Sequence, residues 1–191
     1  PIEGGIDFQF RRMSLSNYPS FVMNKERYEY EVLLWPDAVP SKLCYYFNQS
    51  IADPGLREIF QNPDFRRAMS VAINREEINE VSYLGLGTPR AFVVVPDSPY
   101  YEPEFEQLWA QYDPDLANEL LDKIGLKKGA DGFRTRPDGS RLEITLEGME
   151  WDKATTDEME LVAAAWNAVG VRTTMKTLSR ELYWTRACGN E

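Results

Sequence analysis

Glu143, Glu147 and Glu150 cluster around the end of one predicted strand. Two carboxylates held across a groove are the arrangement that hydrolyses glycosidic bonds. Such chemistry needs a positioned pair with perturbed acidities, whereas acidic residues near strand ends are ordinarily solvated, so abundance alone makes no active site. The chain contains no histidine. That removes Ser–His and Cys–His nucleophiles and every His-bearing metal site from its repertoire. Residues 131–139 superficially suggest a calcium loop, but the alternating ligand positions hold Phe133, Thr135 and Pro137, and a turn is the better reading. Gly85-Leu86-Gly87 lacks the preceding strand and third glycine of a dinucleotide loop and reads as a helix stop. The two cysteines, Cys44 and Cys188, have no CxxC or Cys/His spacing. Either they close one long loop or, the simpler reading, Cys44 is a small buried hydrophobe in an apolar strand. No metal and no cofactor is expected.

Aromatic residues offer a different chemistry. Tyr45, Tyr46, Phe47 and Trp151 fall at strand ends or in the loop after one, and clefts in α/β lobes form beyond the carboxyl ends of strands. Trp151 follows a strand that runs through Met149 and Glu150, where its ring could stack on a peptide side chain or a sugar. Core packing is the competing role for all four, and at least one face of Tyr45 to Phe47 must be core. A formal net charge of −10 argues against a nucleic-acid backbone as partner, since that needs a basic surface. No apolar run is long enough to span a bilayer and no signal peptide opens the chain.

The elements that position these residues are legible from caps and periodicity. Asn62-Pro63 opens a helix with Phe65, Ala68, Met69, Ala72 and Ile73 on one face. Asn74 stops it and caps a second helix, with Glu77 completing a capping box and Ile78, Val81 and Ser82 continuing inward to Gly85. Asp113-Pro114 starts a strong helix to Ile124. Pro137-Asp138-Gly139 turns a hairpin between 132–136 and 142–146. Thr155 and Glu158 start the longest helix, whose inward face is Met159, Val162, Ala163, Trp166 and Val169, and Gly170 ends it. A strand over 171–178 and a helix over 180–187 complete the chain. Upstream, 6–10 reads as a strand, 14–27 as a helix interrupted near Pro19, and 28–35 and 42–49 as strands parted by Pro36-Asp37 and Pro40. The stretch 91–101 reads as irregular, 104–111 as a weak helix. The strand–helix–strand unit from Leu142 to Leu178 predicts parallel pairing. The fold class is α/β, a mixed sheet with packed helices.

The same residues resemble a known family. Phe65-Arg66-Arg67-Ala68, then Ala72-Ile73-Asn74-Arg75-Glu76, then Gly85-Leu86-Gly87-Thr88-Pro89 look like the signature of family 5 extracellular solute-binding proteins. These are the dipeptide- and oligopeptide-binding type receptors that feed ABC importers. Tyr46-Phe47-Asn48 precedes that series, and Tyr112-Asp113-Pro114, Pro137-Asp138-Gly139 and Val169-Gly170-Val171 follow it in order. The resemblance implies one lobe of a type II periplasmic-binding-protein-like fold, excised at both ends, so a missing signal peptide carries no information about compartment. It implies a peptide or small-molecule ligand held between lobes by hinge closure and a missing second lobe of the same chain. It also implies an ABC transporter permease as partner, with membrane contact only through an anchor or transporter outside this stretch. The setting it implies is extracytoplasmic in bacteria, periplasmic or as a cell-surface lipoprotein. In peptide binders of the family, an aspartate that pairs with the peptide amino terminus lies soon after the position of Asn190-Glu191, outside this sequence. By position, Trp151, Glu150, Met149, Thr88 and Asn48 are the candidate ligand-binding residues. The alternatives are an oligosaccharide receptor of the same family, the sensor domain of a transcription regulator, and a carboxylate-based hydrolase.

Overall fold

A computed structural model describes residues 5–11, 13–35, 43–150 and 153–190. Its core is built around the predicted helical pair. α2 (Pro54–Gln61) leads into α3 (Pro63–Val71), where Asn62 Oδ1 accepts the Asp64 N–H at 2.9 Å and Pro63 fills a position that needs no donor. α4 (Arg75–Tyr83) follows, with Asn74 Oδ1 accepting the Glu77 N–H at 3.2 Å. Replacing Asn74 by alanine leaves that amide unsatisfied and is expected to cost about 1 kcal/mol in urea unfolding. Phe65, Ala68, Met69, Ala72, Ile73, Ile78 and Ser82 are buried as their spacing requires. Val81 is not: it is 55% exposed, on the flank of α4. The helix ends one residue earlier than its glycines suggest, at Leu84 in the left-handed region.

Phe47, Phe60, Phe65 and Trp166 form an aromatic cluster with neighbouring ring centroids 5.1 to 5.8 Å apart. Phe60, Phe65 and Trp166, the buried members, each contribute roughly 1.5–3 kcal/mol of transfer free energy. Against this cluster stand α6 (Pro114–Lys123), capped by Asp113, and α7 (Lys153–Ala168). α7 begins two residues before Thr155, which is therefore an interior residue and not the cap.

β1 (Glu143–Met149) and β2 (Arg172–Leu178) pair in parallel from Glu143↔Arg172 to Met149↔Leu178, with α7 as the crossover. Gly148 allows the close approach of helix to strand, because a Cβ there would lie 2.5 Å from Met159 Sδ. Gly170 ends the turn after α7 at φ +88°, and a side chain there would meet the Gly132 carbonyl. The 137–139 turn forms as predicted, Arg136 N–H donating to the Ser140 carbonyl at 2.8 Å. Its arms make only isolated antiparallel bridges, Lys128↔Arg134 and Thr135↔Arg141.

The amino-terminal expectations need correction. Residues 6–10, 28–35 and 43–48 are in no ladder, so the sheet among the described residues holds β1 and β2 alone. β-branched and aromatic runs supply strand propensity, but a strand exists only where a partner meets it. Lys42 and the Pro36 to Pro40 turn lie outside the described residues. Pro19 does not interrupt a helix; it occupies the first turn of α1 (Tyr18–Asn24), after a 3-10 turn at Leu15–Asn17. The weak helix over 104–111 is a single turn, α5 (Pro103–Glu106). α8 (Arg180–Gly189) is capped by Ser179 and buries none of its residues fully.

Candidate functional site

Between α3, α4, α7 and segment 43–47 lies a groove of about 960 Å³. Tyr45, Phe47, Trp166, Tyr83 and Thr88 are among its lining residues, and Glu158 lies with them. Glu158 is buried in the first half of α7. Its carboxylate accepts the Tyr83 hydroxyl at 2.5 Å and the Tyr45 hydroxyl at 3.3 Å. A carboxylate withdrawn from water is tolerable only with such donors. Burial, with the Glu158 charge beside it, pushes the Tyr45 phenol far above its ordinary acidity range, so it stays a donor at every physiological pH. The carboxylate thus ties α4, α7 and segment 43–47 to one another.

Among the described residues three cations border the same groove: Arg66, Arg75 and Arg90, the last paired with Glu106. Arg75 donates to the Ser70 carbonyl at 2.9 Å, the Ala110 carbonyl at 3.1 Å and the Ser70 hydroxyl at 2.8 Å. Burial lowers its pKa, and its position over the last carbonyls of α3 suits the negative end of that helix. Arg66 donates to the Phe60 carbonyl at 2.7 Å. These two arginines serve as braces between elements.

The residues singled out from sequence separate into two places. Met149 pairs with Leu178 at the end of β1, and the Glu150 N–H extends the ladder to the Leu178 carbonyl at 3.0 Å. These two lead into the amino end of α7; Trp151 lies outside the described residues. Thr88 lines the groove. Asn48 is elsewhere. Its Oδ1 accepts the Ser50 N–H at 3.1 Å in a local turn, and Ser50 bonds to Asn190 at the carboxyl end of α8. α8 leaves β2 and runs ten residues, about 15 Å, before reaching Asn190. Asn48 therefore sits at the opposite end of the lobe from Glu150. Glu158, Tyr45 and Tyr83 are the groove residues that sequence reading did not assemble, and Glu158 had figured only as a helix-start residue.

Two of the three carboxylates weighed for catalysis, Glu143 and Glu147, are engaged in ion pairs. Glu147 holds Arg186 through two bonds of 3.0 and 3.1 Å and lies 3.6 Å from Lys176, while Glu143 lies 3.5 Å from Arg172. Asp131 Oδ1 accepts the Phe133 N–H within its turn. Among the described residues no group of acidic or cysteine side chains could hold a metal ion. Cys44 is half-buried and Cys188 exposed, and neither is in a disulfide.

With the geometry in place, likeness to known proteins decides the family. The family model for bacterial extracellular solute-binding proteins, family 5 Middle, matches residues 5–190. The chain belongs to this family. Similar family 5 relatives include the glutathione-binding protein GsiB of Salmonella choleraesuis, 36% identical over 101 residues, and a probable ABC transporter-binding protein of Deinococcus radiodurans, 33% identical over 101 residues. Each match covers about half of this chain (51% and 52%) and 17% of the relative. Among solved structures, an oligopeptide-binding protein OppA superposes on 99% of this chain with a TM-score of 0.84 at 37% identity, using 30% of its own length. A periplasmic oligopeptide-binding protein of Thermotoga maritima, also solved with mannohexaose, shares the fold over 93% of this chain and 37% of its own, with a TM-score of 0.67 at 23% identity. The chain thus has part of the OppA-type periplasmic binding-protein fold, in a family of solute-binding receptors. Among the described residues no helix is long and apolar enough to cross a membrane.

Proposed function

We propose that this chain is one lobe, or most of one, of a non-catalytic receptor that delivers peptides or similar small solutes to an ABC importer outside the bacterial cytoplasm. The observation that carries this reading is the 37% identity to an oligopeptide-binding protein over nearly the whole chain, together with family 5 membership. Ligand contacts fall at the carboxyl ends of the strands, where clefts in such sheets form: Met149 and Glu150, with Trp151 beyond them, and Thr88 on the flank. Asn48 drops out of this set by its place at the far end. The mechanism is closure of a second lobe over a ligand seated here, the contacts made only in the closed state shifting the open–closed equilibrium. The same-family oligosaccharide receptor is the second reading; an aromatic ring after β1 serves sugars as well as peptides.

Titration calorimetry on the full receptor, with a peptide mixture and with oligosaccharides, tests this. Micromolar binding of one class by the full receptor, lost by at least tenfold on Trp151→Ala and unchanged on Asn48→Ala, is the expected result. The separate 191-residue chain should bind neither class at micromolar concentration, since it supplies only part of the contacts. Micromolar binding by the separate chain, or an indifferent Trp151→Ala receptor, overturns the half-cleft reading.

A further inference from the structure

Thr88 is exposed, and its hydroxyl makes no hydrogen bond among the described residues. The backbone on both sides of it is nevertheless fixed. On the amino side, the Asn79 carboxamide grips Gly87 at both polar atoms. Oδ1 accepts the Gly87 N–H at 2.8 Å, and Nδ2 donates to the Gly87 carbonyl at 3.2 Å. A neighbouring strand would make the same pair of bonds, and here one side chain from the middle of α4 supplies both. Glycine suits this contact, because a Cβ there would lie 2.7 Å from Asn79 Oδ1 and push the amide away. On the carboxyl side, the Ala91 N–H donates to the Glu106 carbonyl at 2.8 Å, and Arg90 pairs with the Glu106 carboxylate. Both Asn79 bonds are open to solvent, where water competes for each group and the net gain in folding stability is small.

The same loop is referenced to the end of β1 through α7. α4 ends at Tyr83, whose hydroxyl donates to Glu158. Met159, the next residue of α7, lies against Gly148, and Gly148 precedes Met149 and Glu150. Bonds and packed contacts therefore run without a break from Thr88 to the strand end. We propose that Asn79 is a positioning residue of the ligand site, acting through the Gly87 backbone to hold Thr88 where the ligand meets it. The inference rests on the reading of Thr88 as a ligand contact. Ordering a flexible loop on binding costs affinity, and a loop already ordered avoids that cost. A bond pair that adds little to folding, yet fixes an exposed and unpaired hydroxyl, has its effect on what binds there.

Titration calorimetry on the full receptor, with a mixture of tri- to pentapeptides and with mannohexaose, tests the assignment. For whichever probe the parent binds, Asn79→Ala should weaken affinity roughly tenfold, while the urea midpoint stays close to the parent's. Gly87→Ala should produce the same loss, because it displaces the same amide. Added to Thr88→Ala, Asn79→Ala should cost nothing further, since a positioning residue has no effect once the group it positions is gone. The Gly87 amide should exchange at least roughly tenfold faster in the Asn79→Ala receptor. Unchanged affinity or unchanged Gly87 exchange in Asn79→Ala, or a loss that adds fully to that of Thr88→Ala, overturns the proposal. A Thr88→Ala receptor that binds as the parent does sinks the reading of Thr88 on which it rests. A parent that binds neither probe refutes the receptor reading itself, and the role of Asn79 falls with it.

Discussion

Replacement of Arg134 by methionine is expected to lower the unfolding free energy by about 3–5 kcal/mol, the loss typical when one partner of a buried polar network is removed. Arg134 is among the most completely buried side chains of the protein. Its Nε donates to the Val169 carbonyl at 2.8 Å, Nη2 to Asn118 Oδ1 at 2.7 Å, and Nη1 to Asp122 Oδ1 at 2.5 Å and to the Leu126 carbonyl. Its backbone N–H also reaches the Gly170 carbonyl at 2.7 Å. One guanidinium thereby joins α6, the loop after it and the end of α7. Methionine preserves the stem's packing and strands the acceptors, which carry the cost. Lysine offers one compact ammonium in place of a planar fork and should recover little. Asp122 is largely exposed, so Asp122→Asn should cost under about 1 kcal/mol. Urea titrations at constant slope separate these outcomes. A midpoint for Arg134→Met within error of the parent protein would show that the network contributes nothing.

The second large effect is expected at Trp166. Its indole N–H donates to the Met69 carbonyl at 2.9 Å, across 97 residues of sequence, while its ring seats Tyr45 and Phe47. Trp166→Ala should destabilise the chain by about 3–5 kcal/mol, through lost transfer energy and an unfilled cavity. Trp166→Phe keeps most of the volume but orphans the carbonyl, for a loss of about 1–3 kcal/mol. Thermal unfolding followed by near-ultraviolet dichroism measures both, and the alanine variant should also release segment 45–47 from α7. An alanine variant that unfolds with the parent would place the core elsewhere.

Local rules carried most of the fold. Asn62, Asn74 and Asp113 cap the helices they were assigned, because a cap is a contact between near neighbours in sequence. The α7 face from Met159 to Val169 and the parallel unit around it follow from periodicity and connection length. The upstream strands failed for the complementary reason. Residues 43–48 have the composition of a strand, but pairing is decided by what lies alongside, and composition contains no such information. The candidate site divides the same way. The place of Met149 and Glu150 at the end of β1 was legible, because it follows from the strand itself. The Glu158 carboxylate and its tyrosines were not, since they converge from 75 and 113 residues apart. Asn48 lies apart from them because segment 43–48 runs in the direction of α7, and sequence spacing does not report direction.

The contact between Gly148 and Met159 has a further consequence. With no side chain on the strand, the thioether sits directly against the backbone of β1 and is almost wholly shielded from solvent. Oxidants reach that sulfur only when α7 lifts from the sheet. A sulfoxide formed during such an excursion adds a polar oxygen where no room for an extra carbon exists, so the helix cannot reseat. Oxidative damage at this point therefore converts a transient opening into a permanent one, and the lifetime of the folded chain is tied to how rarely α7 breathes.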